Sequence, residues 1–143
     1  MRLTQFTDYA LRLLIFAATH GDRLITIEQT ADAYGISRNH LMKVANHLTR
    51  EGYLKAVRGR SGGLTLAKPP AEIGLGVVIR TTEPDFAIVE CFGEDSSCRL
   101  TPSCRLKGIV GRALGAFLHE MDQYTLVDLI MDPAQFGIER PAA

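Results

Sequence analysis

Apolar residues recur every three or four positions over roughly the first twenty residues, the spacing that places them on one face of an α-helix. The pattern predicts a helix that begins near Thr4 and ends at His20, because Gly21 follows as a stop signal. Its predicted core face consists of Phe6, Tyr9, Ala10, Leu13, Leu14 and Ala17.

Two shorter helices with defined ends are predicted next. Thr26 and Gln29 have capping-box spacing, and Gly35 ends the helix that they begin. Ser37 caps the following helix, whose apolar residues at positions 41, 44, 45 and 48 fall on one inward face. A short helix, a turn containing glycine and a capped second helix together predict a helix-turn-helix.

Residues 53–57 and 64–67 have the β-branched, aromatic and apolar character of two short strands. The tip between them, residues 58–63, holds two arginines and three glycines, which is typical of a wing beside a helix-turn-helix. Two prolines at 69 and 70 end this hairpin, and residues 71–82 predict a further apolar helix.

A long apolar stripe follows Pro102 and keeps helical spacing for about five turns. It could pack on the N-terminal domain, but a long helix after a small domain more often pairs with its own copy in a dimer. Residues 125–130 predict a short final helix that folds back, and a polar tail begins at Asp132. The stripe consists of Leu106, Ile109, Val110, Ala113, Leu114, Phe117, Leu118 and Met121.

These elements predict a mainly α-helical fold with one small β-hairpin. The chain of 143 residues can bury one modest core, with an extension left for pairing. The predicted organisation is a winged helix-turn-helix domain at 1–82, a cysteine-containing loop at 83–104, a dimerisation helix with a short C-terminal helix at 101–131, and a tail at 132–143.

The net charge of zero conceals a division between the two parts of the chain. Residues 1–82 carry 11 Lys and Arg against 6 Asp and Glu, a balance of +5, whereas residues 83–143 carry 5 against 10, a balance of −5. A polyanion is therefore the expected partner of the N-terminal part only, and double-stranded DNA is the natural candidate.

Polar and basic residues on the second helix of the helix-turn-helix predict contacts with that DNA. Arginine and asparagine suit guanine and adenine edges, and a helix N-terminus binds phosphate. Two such helices in a dimer would meet a pseudo-palindromic operator. The alternatives are an ordinary solvated helix face and a surface hairpin without function. The predicted contacts are Ser37, Arg38, Asn39, His40 and Lys43 on the helix and Arg58, Arg60, Gly62 and Gly63 in the wing, with Asn46, His47 and Arg50 on the same helix face.

All three cysteines, Cys91, Cys98 and Cys104, lie in one polar loop. An odd number of thiols and the absence of a secretory signal peptide argue against disulfides and predict a reducing compartment, the cytoplasm. A metal site is favoured over buried core cysteines, and Thr101 with Pro102 predicts a helix start that places Cys104 in the first turn, where a thiolate is favoured. Structural zinc is an alternative, although close Cys-x-x-Cys pairs are missing. No apolar run reaches the roughly 20 residues that a membrane span needs.

Four stretches match, in order, the motifs of one known family: LTQFTDYALR at 3–12, YGISRNH at 34–40, VRGRSGG at 57–63 and TPSCRLK at 101–107. Through them the chain resembles the Rrf2 family of bacterial winged-helix regulators, and most closely its nitric-oxide-sensing repressors. The resemblance implies a homodimer that holds an iron-sulfur cluster on Cys91, Cys98 and Cys104 and represses genes of nitric oxide detoxification while that cluster is intact.

The resemblance also bears on the type of cluster. A family member that regulates cluster assembly has a histidine ligand three residues after its last cysteine, where this chain has Lys107. The nitric-oxide sensors instead imply a 4Fe-4S cluster whose fourth ligand matches Asp8 of the partner subunit. A 2Fe-2S redox or iron sensor remains an alternative, as does Asp8 as a simple helix-start acid. No catalytic motif is present, so an enzyme is not expected.

Overall fold

A computed structural model describes residues 1–137 of the chain. The architecture is mainly helical with one two-stranded antiparallel hairpin, which confirms the predicted fold class. The helices are α1 (Gln5–His20), α2 (Ile27–Tyr34), α3 (Arg38–Arg50), α4 (Leu75–Thr82) and α5 (Arg105–Met121), and the strands are β1 (Leu54–Val57) and β2 (Gly63–Leu66).

The ends of the first three helices follow from side-chain caps. The hydroxyl of Thr4 accepts a hydrogen bond from the N–H of Thr7, and that of Ser37 accepts one from the N–H of His40. Thr26 and Gln29 form both bonds of a capping box. Each cap satisfies an N–H group that the helix itself leaves unpaired, and so fixes where α1, α2 and α3 begin.

The core surrounds α1, which packs against α3, α4 and β2. Five of the six residues predicted for the core face of α1 are buried, while Phe6 is half-buried against α3. The inward residues of α3 are buried as predicted: Leu41, Val44, Ala45 and Leu48. Burial of these apolar side chains is the main force that holds the helix-turn-helix together.

The hairpin is attached to the helical core through the backbone. Leu64 of β2 and Ile25, just before α2, exchange two N–H to C=O hydrogen bonds of 2.7 and 2.9 Å. A side chain at Gly63 would place its Cβ 2.5 Å from the carbonyl oxygen of Ile25, so only glycine allows this approach. The tip between the strands is thus held at a fixed position beside α2 and α3.

The helix predicted over residues 71–82 is shorter than expected, and this part of the prediction was wrong. A 3-10 turn at Pro70–Glu72 is followed by extended Ile73, and α4 begins only at Leu75. The carbonyl of Ile73 accepts the N–H of Leu126 at 2.9 Å, and Gly74 forms a backbone bridge with Thr125. These long-range pairings replace the first turns of the predicted helix.

The start of the long helix also differs from the prediction. Residues Thr101–Ser103 form a separate 3-10 turn, and extended Cys104 is the N-cap of α5, so it is not inside the first helical turn. The hydroxyl of Thr101 donates to the carbonyl of Cys98 at 2.9 Å and therefore does not cap a helix. Cys104 still lies at the amino end of α5.

The final predicted helix is a 3-10 helix, Leu126–Leu129, with Leu126 fully buried. The segment predicted as a polar tail packs in part, because a 3-10 helix at Pro133–Phe136 brings Phe136 against Phe16 and Tyr34, with ring centroids 5.3 and 5.5 Å apart. The remainder of the predicted tail, residues 138–143, lies outside the described part of the chain.

Candidate nucleic-acid interface and cysteine loop

The outer face of α3 presents polar, basic and apolar groups together. Asn39, Lys43, Asn46 and Arg50 are exposed, as their predicted role in binding requires. Met42, which the polar pattern did not suggest, lies on the same face with 52% of its surface exposed. In the sequence, only the helical spacing between Met42 and the buried positions of α3 indicated that Met42 lies on the outer face.

Arg38, at the first position of α3, is held by acidic side chains of α2. Its guanidinium lies 2.8 Å from Glu28 and 3.8 Å from Asp32, and all three side chains are more than half exposed. Ion pairs with this exposure contribute little to stability, so phosphate can replace the carboxylates at small cost. These ion pairs meanwhile hold the guanidinium of Arg38 beside α2.

Two histidines predicted for the outer face turn toward the body of the protein instead. The ring of His40 packs edge-on against Tyr9 at 4.8 Å, and that of His47 packs against Phe6 at 5.3 Å. His47 also contacts the carbonyl of Thr81 through Nε2 at 3.1 Å. Both positions border the buried stripe of α3, and contacts with α1 and α4 turn the two rings away from the predicted outer face.

The wing places Arg58 and Arg60 in solvent beside α3. Two glycines of the wing are needed for close backbone packing. A Cβ at Gly62 would overlap the carbonyl oxygen of Val57, and Gly63 packs on the backbone of Ile25. A shallow depression joins the wing to α3 and is lined by residues that include Met42, Asn46, Val57 and Arg58. Helix and wing therefore form one continuous surface that carries basic and polar side chains, the groups with which proteins contact duplex DNA.

The cysteine loop lies against α5. Cys91 is half-buried in a 3-10 turn at Glu90–Phe92, Cys98 is exposed, and half-buried Cys104 occupies the N-cap position of α5; all three thiols are free. The ring of Phe92 reaches Gly111, where an added Cβ would lie 3.7 Å from its Cζ atom. This contact anchors the first cysteine beside the long helix.

A hydrogen-bonded link closes the segment between the first two cysteines. Oε1 of Glu90 accepts the N–H of Ser97 at 3.0 Å and its hydroxyl at 2.7 Å. These bonds, from the Ser97 hydroxyl first and its N–H second, lower the pKa of the Glu90 carboxyl. The sequence contained both residues, but nothing in their spacing signalled that they pair.

The donor set of the loop suits an iron-sulfur cluster, because such clusters are held by cysteine thiolates. Within residues 1–137, however, no three His, Cys, Asp or Glu side chains are grouped as a metal site. Asp8 pairs with Arg12 of its own helix at 2.8 Å. The ligand types fit, but one chain in this conformation does not gather them.

The apolar stripe of α5 remains largely uncovered in the single chain. Leu106 and Ile109 are 61% and 55% exposed, and no residue of the helix is fully buried. Leu114 and Phe117 line a cavity of about 620 Å³ against residues 1–4 and 83–88. At the other end of α5, Asp122 forms a two-pronged ion pair with Arg80 of α4 at 2.6 and 2.8 Å.

None of the helices in residues 1–137 is both long and apolar enough to cross a lipid bilayer.

Comparison with known proteins identifies the group to which this architecture belongs. Residues 3–132 match the Rrf2 family, described as iron-dependent transcriptional regulators. The chain is 52% identical over 134 residues to the HTH-type transcriptional regulator NsrR of Bacillus licheniformis, covering 92% of this chain and 94% of that protein. It is 46% identical to the NsrR of Shouchella clausii, covering 92% and 90%.

A solved structure supports the same assignment. The crystal structure of a transcriptional regulator from Listeria innocua superposes with a TM-score of 0.73 at 29% identity, covering 90% of this chain and 85% of that one. The family match at residues 3–132 spans the helix-turn-helix, the wing and the long helix, and this family consists of transcriptional regulators and not of enzymes. The chain belongs to the Rrf2 family of iron-dependent, DNA-binding transcriptional regulators.

Proposed function

We propose that this regulator is a cytoplasmic homodimeric repressor that senses nitric oxide through a 4Fe-4S cluster and controls genes of nitrosative-stress defence. The observation that carries the proposal is the coincidence of three free thiols in one loop with a DNA-binding surface, in a chain 52% identical to a protein named NsrR. Both relatives are named NsrR, and each aligns with nearly the full length of this chain.

Cys91, Cys98 and Cys104 are the proposed thiolate ligands, and Asp8 of the partner subunit is the proposed fourth ligand. When bound, a 4Fe-4S cluster supplies an iron that reacts with nitric oxide. A carboxylate is a hard and weakly held ligand for that iron, so Asp8 would be the first to leave. To act in this way, Asp8 must exchange its exposed ion pair with Arg12 for the ligand bond, and exposed pairs of this kind are weak.

A second copy of the chain is the proposed occupant of the exposed stripe on α5. Leu106 and Ile109 would be removed from water by pairing, which favours association in proportion to the apolar area buried. The two recognition helices would then meet successive half-sites of a pseudo-palindromic operator. Their spacing depends on how α5 is joined to each DNA-binding domain.

Two contacts offer a route from α5 to the recognition helix. Arg80 of α4 is paired with Asp122 at the end of α5, and the neighbouring carbonyl of Thr81 contacts His47 of α3. Ligation that shifts the loop and α5 would therefore move α4 and change the setting of α3. A coupling of about 1–3 kcal/mol between ligand and DNA is typical of such two-state devices.

The test is oxygen-free purification followed by iron and sulfide analysis, absorption and Mössbauer spectra, and binding to a duplex selected in vitro, with and without nitric oxide. The wild type should carry a 4Fe-4S cluster, bind tightly, and lose affinity when nitric oxide is added. Cys98→Ala should carry no cluster. A 2Fe-2S spectrum would support the iron or redox sensor instead, and colourless protein with stoichiometric zinc would support a structural metal.

The role of Asp8 has its own matched pair of variants. Asp8→Ala should keep most of the iron but respond weakly to nitric oxide, because the labile ligand is gone. Arg12→Gln removes the partner of Asp8 in the same helix and keeps the carboxylate, so its response should resemble the wild type. An unchanged response in Asp8→Ala would contradict the ligand role.

A further inference from the structure

The link between Glu90 and Ser97 stands directly beside two of the three cysteines. Glu90 precedes Cys91 and Ser97 precedes Cys98 in the chain. One carboxylate oxygen accepts both the N–H and the hydroxyl of Ser97, at 3.0 and 2.7 Å. The six residues between the two cysteines are thereby closed into a ring.

Other contacts hold the ring to the remainder of the structure. The N–H of Gly93 donates to the carbonyl of Glu90 at 3.0 Å, so Glu90 is fixed within a turn. Phe92 lies against Gly111 of α5, which anchors the first cysteine. On the far side, the hydroxyl of Thr101 donates to the carbonyl of Cys98 at 2.9 Å and joins that residue to the turn that leads to Cys104.

We infer that Glu90 and Ser97 are positioning residues that pre-form the loop, so that the segment between Cys91 and Cys98 is already closed when the cluster is assembled. The inference rests on the proposed function, because it assigns these residues a role toward the proposed cluster. Its physical basis is entropic: a loop closed in advance loses less conformational freedom when it binds. A charged acceptor also forms stronger hydrogen bonds than a neutral one.

The same geometry gives Glu90 a role that does not require a bond to iron. Its Oε1 accepts both donors of Ser97, and these two bonds close the ring. A ligand role and a positioning role therefore predict different behaviour when Glu90 or Ser97 is changed. Ser97 offers no carboxylate or thiolate to iron, so its variant isolates the positioning effect.

The first measurement uses full-length, reduced, metal-free protein and hydrogen exchange of the segment between Cys91 and Cys98. Ser97→Ala removes the hydroxyl donor and should raise the exchange rate of this segment roughly 3- to 10-fold, the range that the loss of one hydrogen bond produces. Ser103→Ala is the matched control. Ser103 also precedes a cysteine, but it bonds to the carbonyl of Leu100 through its backbone N–H, which the substitution keeps.

The second measurement is the rate at which a chelator removes iron from the anaerobically reconstituted protein. Ser97→Ala and Glu90→Gln should both lose iron faster than the wild type, again by roughly 3- to 10-fold, while Ser103→Ala should match it. Wild-type exchange and wild-type iron loss in Ser97→Ala would overturn the inference. So would normal exchange in Glu90→Gln with no iron taken up, because Glu90 would then act as a ligand.

Failure of the proposed function gives a different pattern. If the wild type takes up no iron and sulfide, the sensing proposal fails, and the assigned role of Glu90 and Ser97 toward a cluster fails with it. If the wild type is loaded but Ser97→Ala holds iron as firmly, only the positioning inference fails.

Discussion

At the scale of single residues, the sequence gives the type of each side chain on the proposed DNA-binding surface, whereas packing decides which way that side chain points. Asn39 and His40 are neighbours in α3, yet Asn39 is exposed while His40 packs on the ring of Tyr9. Arg60 stands in solvent at the tip of the wing. We therefore expect Asn39 to read bases and Arg60 to contact phosphates, with His40 acting as support for the helix.

This division predicts different consequences for two alanine variants. Asn39→Ala should cost about 1–3 kcal/mol at particular base pairs and relax the preference there. Arg60→Ala should weaken binding to all duplexes and reduce the slope of log affinity against log salt by about one.

Both effects can be measured by fluorescence anisotropy on a set of operator variants at several salt concentrations. Ser61→Ala, at an exposed position of the same wing, serves as the control. Equal base selectivity and equal salt slopes in the two variants would contradict the separate roles.

At the scale of elements, α4 links the long helix to the DNA-binding domain. Its Arg80 is paired with Asp122 of α5, and its Thr81 contacts His47 and the hydroxyl of Tyr53. Gly76 lies beneath this ion pair, where a Cβ would overlap the Asp122 carboxylate. A side chain at position 76 would therefore displace the Asp122 carboxylate from its place beside Arg80.

Arg80→Gln should weaken the coupling between α5 and the DNA-binding domain more than it lowers the free energy of unfolding, because the ion pair is exposed. The ratio of DNA affinities between cluster-loaded and cluster-free protein should fall by about threefold or more. Arg112→Gln, which changes another exposed arginine, on α5, should leave the ratio unchanged. An unaltered ratio in Arg80→Gln would exclude this route of coupling.

The pH dependence of stability gives a second readout of the same pair. The hydrogen bond from Arg80 lowers the pKa of Asp122, so the pair contributes fully above the ordinary aspartate value of 3.8. That contribution is lost as the pH falls through the lowered pKa. Denaturant unfolding should accordingly show a small difference between wild type and Arg80→Gln at neutral pH that disappears in acid.

At the scale of the whole molecule, the single chain leaves an apolar surface that a stable monomer would rarely expose. Leu106 and Ile109 project from α5, and Val127 and Ile130 near the end of the chain are also exposed. The N-terminal domain, by contrast, buries its apolar residues around α1. This contrast favours a second copy as the partner of α5.

Ile109→Asp should convert a dimer into a monomer, because it places a charge in the proposed interface. Ile109 is 55% exposed in the single chain, so the fold of the monomer should survive the change. Leu114 is a poorer choice, since it lines the cavity against residues 1–4 and a charge there would also disturb the chain itself.

Light scattering on a sizing column, with circular dichroism as a check on folding, measures the outcome. A folded Ile109→Asp protein that remains dimeric would locate the interface elsewhere. Arg112→Asp, which lies on the same helix and reverses a charge outside the apolar stripe, controls for the added carboxylate.

The sequence alone determined the features that depend on local chemistry. Helix caps such as Thr26 and Ser37, the buried stripe of α1 and the glycine-rich wing were all predicted, because neighbouring residues fix them. The three cysteines were likewise identified as the candidate metal ligands, since residue type and spacing carry that information.

Only the tertiary structure decided where distant segments meet. The pairing of Ile73 with Leu126 shortened α4, the packing of Phe136 on Phe16 drew in part of the predicted tail, and contacts with α1 turned His40 inward. Glu90 with Ser97 and Arg80 with Asp122 were equally hidden. Such contacts join residues that no helical or strand spacing relates to each other. Their free energy depends on how the whole chain packs, and local sequence patterns do not contain that information.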